Sequence, residues 1–123
     1  MKVVKAAAVQ ISPALYSRES TVGKIARKIH ELGRPGAQFT TFPETVVPYY
    51  PYFSLVRTPL QDFHGTAHLR LLGQAMTVPS PATNIVNESS RRAGMVVSVG
   101  VNEHDGGSLH NKQLLFDAAA RAV

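Results

Sequence analysis

Nine residues near the start, 3–11 (Val-Val-Lys-Ala-Ala-Ala-Val-Gln-Ile), are mostly small or β-branched, do not alternate clearly with polar residues, and are stopped by Pro13. Such a run reads as a strand buried on both faces of a parallel sheet. Parallel strands need a crossover, and the next segment supplies one. Val22, Ile25, Ile29 and Leu32 recur at three- and four-residue spacing, with Lys24, Arg27, Lys28 and Glu31 on the other side. The spacing predicts a helix over 20–32 with Ser20 as N-cap, Gly33 just past its end and Pro35 forbidding continuation. A second strand over 37–42 completes a βαβ unit, which is right-handed in nearly all known cases.

The same logic extends to the end of the chain. Pro79-Ser80-Pro81 introduces a helix over 82–93 with Ile85, Val86, Ser89 and Ala93 as its packing face, Arg91 and Arg92 in the last turn and Gly94 closing it. A strand over 95–102, a turn at Gly106-Gly107 and a strand over 108–117 read as a hairpin. Residues 45–77 show little regular patterning beyond a short helix over 66–75 with Leu69 and Leu72 on one side. Long irregular connections of this kind in compact domains are usually functional loops. The expected fold class is α/β, in one unit: 123 residues suffice for one core, and 44% hydrophobic with 17% charged residues is a globular balance.

Charge and cysteine narrow the function. Thirteen Lys and Arg against eight Asp and Glu give net +5, but the basic residues are scattered along the sequence and the aromatic-rich segment is nearly free of them. A nucleic-acid partner is therefore not expected. The absence of cysteine excludes disulfides, thiolate metal sites and a cysteine nucleophile within these residues, and suits a cytoplasmic protein. Lys5 and Gln10 interrupt the only stretch that could pass for a signal peptide, and no apolar run reaches membrane-spanning length.

Chemistry concentrates in 39–53, Phe-Thr-Thr-Phe-Pro-Glu-Thr-Val-Val-Pro-Tyr-Tyr-Pro-Tyr-Phe. Six of the nine aromatic residues fall there, so it is the one segment able to wall an apolar pocket. Glu44, the only carboxylate between Glu31 and Asp62, follows a short strand that Pro43 must end, because proline cannot donate to a ladder. A lone acid thus stands at a strand end, before a stiff lip of prolines and tyrosines. The competing reading is a solvated loop acid beside ordinary half-buried aromatics. Other candidates carry less. His64 and His68 are four apart, but Gly65 weakens the helix they would share and no third ligand is apparent, so no metal is expected. Ser98, in Val97-Ser98-Val99-Gly100, lacks the first glycine of a nucleophile elbow and lies inside a predicted strand, so it reads as structural.

Phe42-Pro43-Glu44 after an apolar strand, followed by Val47-Pro48-Tyr49-Tyr50-Pro51-Tyr52, resembles the first catalytic motif of the nitrilase branch of the carbon-nitrogen hydrolase superfamily. The resemblance runs through nearly the whole chain. Residues 4–10 resemble the family's first strand, Pro79-Ser80-Pro81 precedes its next helix, and Asn111-Lys112-Gln113-Leu114-Leu115-Phe116-Asp117 resembles the strand before its lysine motif. His110 and Lys112 depart from the Tyr and Thr commoner beside that Asn.

This resemblance implies an αββα sandwich, of which the chain would supply the N-terminal part: one sheet layer with flanking helices. It implies hydrolysis of a small-molecule nitrile to carboxylic acid and ammonia without a cofactor. A cysteine thiolate attacks, a glutamate acts as general base and a lysine offsets the developing anion. Glu44 matches the glutamate; Tyr50 and Tyr52 match positions beside the substrate. No lysine here has the family's context and there is no cysteine, so this chain alone is expected to be inactive. Where the family continues with a glycine turn and an Arg-Lys motif, residues 118–123 read Ala-Ala-Ala-Arg-Ala-Val, an ending expected of a truncated domain. An amidase of the same superfamily and a non-catalytic binding module are the alternatives. With one sheet face lacking its second layer, a homo-oligomer or association with an intact homologue is expected.

Overall fold

The computed structural model describes residues 1–58, 60–61 and 65–119. In chain order these form β1 (Ala6–Ala8), α1 (Arg18–Gly33), β2 (Phe39–Thr41), α2 (Phe53–Val56), α3 (Ala67–Gln74), α4 (Pro81–Ala93), β3 (Val96–Asp105) and β4 (Ser108–Phe116). The sheet order is β1-β2-β3-β4, parallel through β3 and antiparallel between β3 and β4. The α/β class, the crossover unit and the hairpin all match the sequence reading. Gly106 and Gly107 make the two-residue turn with φ of 54° and 86°, a backbone that side-chain-bearing residues rarely adopt.

Register divides the side chains between two faces. Val97 pairs with Thr40 and Phe116, Val99 with Leu114 and Val101 with Lys112. On that face Val97, Val99, Val101 and Phe116 are at most 1% exposed, packed in one core with Val22, Ile25 and Ile29 of α1 and Val86 of α4. Each such side chain contributes about 1.5–3 kcal/mol on burial. The other face carries Ala6, Ala8, Phe39, Thr41, Val96, Asn111, Gln113 and Leu115, all exposed or half-buried.

Here the reading of the first strand needs correction. β1 has three residues instead of nine, and Val3 and Val4 are 85% and 56% exposed. Its run was apolar enough for two buried faces, but α1 and α4 both lie on one side, so the second face stays open.

Local details differ for identifiable reasons. Ser17, not Ser20, caps α1: its hydroxyl accepts from the Ser20 amide at 3.1 Å, which moves the start two residues earlier. Gly33 is still helical, and the left-handed residue is Gly36, with φ 84°. The Gly33 site matters for packing instead, since a Cβ there would sit 3.2 Å from that of Ala93 on α4. α4 begins near the expected place, where Ser80 and Thr83 form a reciprocal capping box that the sequence reading did not name, and ends as expected at Gly94 with φ 60°. Its buried face is turned from the expected one: Ala82, Thr83, Val86 and Ser90 are inside, while Ile85 is 47% exposed. Ser90 tolerates burial because its hydroxyl donates to Met95 O at 2.5 Å and Asp117 O at 3.1 Å. In α3 it is Leu71, not Leu69 or Leu72, that is fully buried, and Leu69 is 65% exposed.

Candidate active site

The C-terminal end of β2 builds the site. Phe42 N donates to Ser98 O at 2.8 Å; then Pro43, lacking an N–H, ends the ladder. The chain returns to β3 at Val47, whose N donates to Gly100 O at 3.3 Å and whose O accepts from Asn102 N at 2.8 Å. Five residues of this segment therefore face a two-residue step on β3, about 7 Å at the strand rise. The intervening residues, Pro43-Glu44-Thr45-Val46, cannot all stay in the sheet plane, and the turn they make leaves it on the open face.

Gly100 is what permits this. A Cβ there would stand 2.4 Å from Pro43 O, 2.5 Å from Thr45 N and 2.7 Å from Glu44 Cα. Any side chain would push the turn off the strand. A second cost sits next door: Thr45 has φ 43°, and its buried hydroxyl has no hydrogen-bond partner among the described residues. Strain and an unsatisfied polar group of this kind cost about 1–3 kcal/mol each. The fold spends stability at the residue beside Glu44.

The Glu44 carboxylate is exposed, and its Oε1 accepts from Asn111 Nδ2 at 2.6 Å across 67 residues of sequence. Asn111 stands opposite Asn102 in the hairpin register, on the same open face. Asn102 serves the other half of the loop, donating from Nδ2 to Tyr49 O at 3.1 Å. A facing pair of asparagines thus anchors the acid and the aromatic lip. Beside them, Gln113 Nε2 donates to Ser98 Oγ at 2.7 Å, a structural role for Ser98 as the sequence indicated. Lys112 adjoins Asn111 in sequence but points to the opposite face, where it pairs with the nearly buried Glu103. It offers no cation to Glu44.

The tyrosines divide. Tyr50 is half-buried and Tyr52 is 68% exposed, their ring centroids 4.8 Å apart. Tyr49 is 6% exposed and meets Tyr16 edge-to-face at 5.7 Å; burial raises its phenol pKa. The segment is a lip with one packed tyrosine and two presented ones. His64 lies outside the described residues, so the His64/His68 pair is not placed. Among the described residues no helix is long and apolar enough to cross a membrane.

Sequence reasoning missed Gly100, Asn102 and Asn111 as site residues. A glycine inside an otherwise β-branched strand is a recognised sign of close backbone approach, and it was available in Val97-Ser98-Val99-Gly100-Val101. The basic residues also proved less scattered than they look along the chain. Arg27 and His30 of α1, Arg34 just past its end and Arg92 of α4 line one groove between the helices together with Glu31, separate from the Glu44 site.

The structure thus combines a four-stranded, mostly parallel sheet, helices on one face and a carboxylate lifted over the other. This fold is similar to that of two solved structures: an amidase from Nesterenkonia sp. (TM-score 0.65, 14% identity, 98% of this chain and 40% of that one) and a carbon-nitrogen hydrolase from Helicobacter pylori G27 (TM-score 0.61, 16% identity, 97% and 37%). The carbon-nitrogen hydrolase family profile matches residues 5–123, and the chain belongs to that family. It is 72% identical over 118 residues to Nitrilase 3 from an unknown prokaryotic organism, and 50% identical over 116 residues to a nitrilase of Paraburkholderia phymatum. These alignments take in 96% and 94% of this chain but 36% and 34% of those proteins, so the chain spans about a third of the relatives' length.

Proposed function

We propose that this chain is the base-carrying part of a nitrile hydrolase, with Glu44 as general base and Tyr50 and Tyr52 in the wall of the substrate pocket. One observation carries the reading. Glu44 is held on the uncovered sheet face by a turn that requires Gly100, strains Thr45 and is fastened by Asn111. A loop acid with no task would not need that support.

The chemistry follows from the carboxylate's surroundings. An exposed, singly hydrogen-bonded carboxylate can take a proton from a thiol as sulfur attacks the nitrile carbon, pass it to the nitrile nitrogen, and then take protons in turn from the two waters whose addition releases ammonia and the carboxylic acid. The thiol must come from outside these residues, since the chain has no cysteine. The open face is where further chain would dock, either more of the family domain or another copy. The names of the relatives above favour nitriles over amides as substrates.

The test is complementation. Purified chain should release no ammonia from aliphatic or aromatic nitriles. Co-expression with the remaining C-terminal part of Nitrilase 3 should restore release, and Glu44→Gln should abolish it. Ammonia release by the chain alone, or restored release indifferent to Glu44→Gln, would contradict the reading.

A further inference from the structure

A carboxylate serves as a base only if one oxygen faces the proton it is to take. An exposed glutamate with three rotatable bonds does not do this unaided; each bond left free costs orientation at the moment of reaction. Two features already described limit Glu44. Its backbone is clamped between Gly100 and the strained Thr45, which sets where the side chain leaves the main chain. Its far end is tied by Asn111 Nδ2 to Oε1 at 2.6 Å, while Oε2 accepts no hydrogen bond among the described residues.

We propose that Asn111 is a positioning residue: by occupying Oε1 it fixes the carboxylate plane and leaves Oε2 as the oxygen that exchanges the proton. This rests on the reading of Glu44 as base and adds to it a residue and an atom. The geometry suits the task. An amide keeps its donor at all working pH values and cannot compete for the proton, unlike the Lys or His found on either side of it in sequence. β4 supplies rigidity, since Asn111 is the fourth residue of a nine-residue strand that pairs with β3 along its length. Asn102, its cross-strand neighbour, is committed to Tyr49 O and does not compete for Glu44.

The experiment is NMR of the full chain, with and without substitution, and needs no activity. In the wild type one Asn111 side-chain amide proton should be displaced downfield, and the two Glu44 γ-methylene protons should be inequivalent. Asn111→Asp keeps the shape and removes the donor. It should collapse the Glu44 γ pair toward one averaged signal while Val97 and Val99 resonances stay in place. Gln113→Ala, one turn of the pleat away, should leave Glu44 unchanged. A Glu44 γ pair that stays inequivalent in Asn111→Asp overturns the positioning role.

In the complemented enzyme Asn111→Asp should lower kcat at least tenfold with little change in KM, the pattern of a misdirected base rather than lost substrate binding. An unchanged kcat overturns the proposal. Retained activity in Glu44→Gln instead overturns the base reading, and the NMR signature then stands as a purely structural bond; the two failures are told apart.

Discussion

The two faces of the sheet are made by the same strands and do opposite things. Beneath the helices, Val97, Val99, Val101 and Phe116 are fully buried hydrocarbon and supply stability. On the open face the residues between them are Ser98, Gly100 and Asn102, with Asn111 and Gln113 opposite, and they organise a turn, an acid and an aromatic lip. A strand's two-residue period lets one sequence serve both ends, and a one-residue slip would exchange them. The price appears on the open side, in the φ of Thr45 and its unpartnered hydroxyl.

The comparison breaks most sharply at two neighbours. Phe116 is 1% exposed and Leu115 36%. Phe116→Ala should destabilise by about 4 kcal/mol and Leu115→Ala by under about 1 kcal/mol, read from urea midpoints. Both are read on chain dilute enough to be monomeric, where equal losses would mean that Leu115 is packed as Phe116 is.

Gly100→Ala comes next. The added Cβ meets backbone, not a yielding side-chain tip, so about 2 kcal/mol should be lost. Amide shifts should move at residues 43–46 and not in α1. A variant of wild-type stability would show that the turn is not pinned to β3.

The open face should also associate. At about 25 cal/mol per Å2, a few hundred Å2 of apolar sheet rivals the whole stability of a small domain. Light scattering at micromolar concentration should show a dimer or larger species, and Val96→Lys with Leu115→Lys should yield monomer. A wild-type monomer that unfolds cooperatively would remove the need for a covering layer.

The smallest effect lies on the outer surface of α4. Hydrogen bonds from Arg91, then Arg92, hold the Glu88 carboxyl at a pKa of about 2, below the ordinary 4.5. A depressed carboxylate adds stability that is present above its unfolded value and is lost as pH falls through the folded one, here between about 4.5 and 2. Because the pairs of Glu88 with Arg91 and Arg92 lie at the surface and are screened by solvent, the contribution should be slight. Glu88→Gln should leave the urea midpoint at neutral pH almost unmoved, while NMR titration of Glu88 gives a midpoint below the ordinary 4.5.

These contrasts show what could be read from sequence. The crossover, the hairpin, the helix start after Pro79-Ser80-Pro81 and its close at Gly94 were legible because periodicity, glycine and proline act locally. Glu44 was legible as a candidate because Pro43 ends a strand next to it and the segment carries a family motif. The open face was legible only as a missing second layer. The two-sided burial assigned to 3–11 failed because composition reports what a strand tolerates, not what lies above it. The partners of Glu44 were hidden for a different reason. Asn111 is 67 residues away and reaches it only through the hairpin register, and Gly100 matters because of a backbone crossing that no local pattern encodes.

The most direct test of a stability face backed by a functional one is Glu44→Gln, measured twice. The urea midpoint of the chain should stay within error of wild type, since an exposed side chain is altered, while ammonia release by the complemented enzyme should fall by about 10²–10⁴-fold. A lowered midpoint with activity retained would place Glu44 in the scaffold and contradict the division of the sheet proposed here.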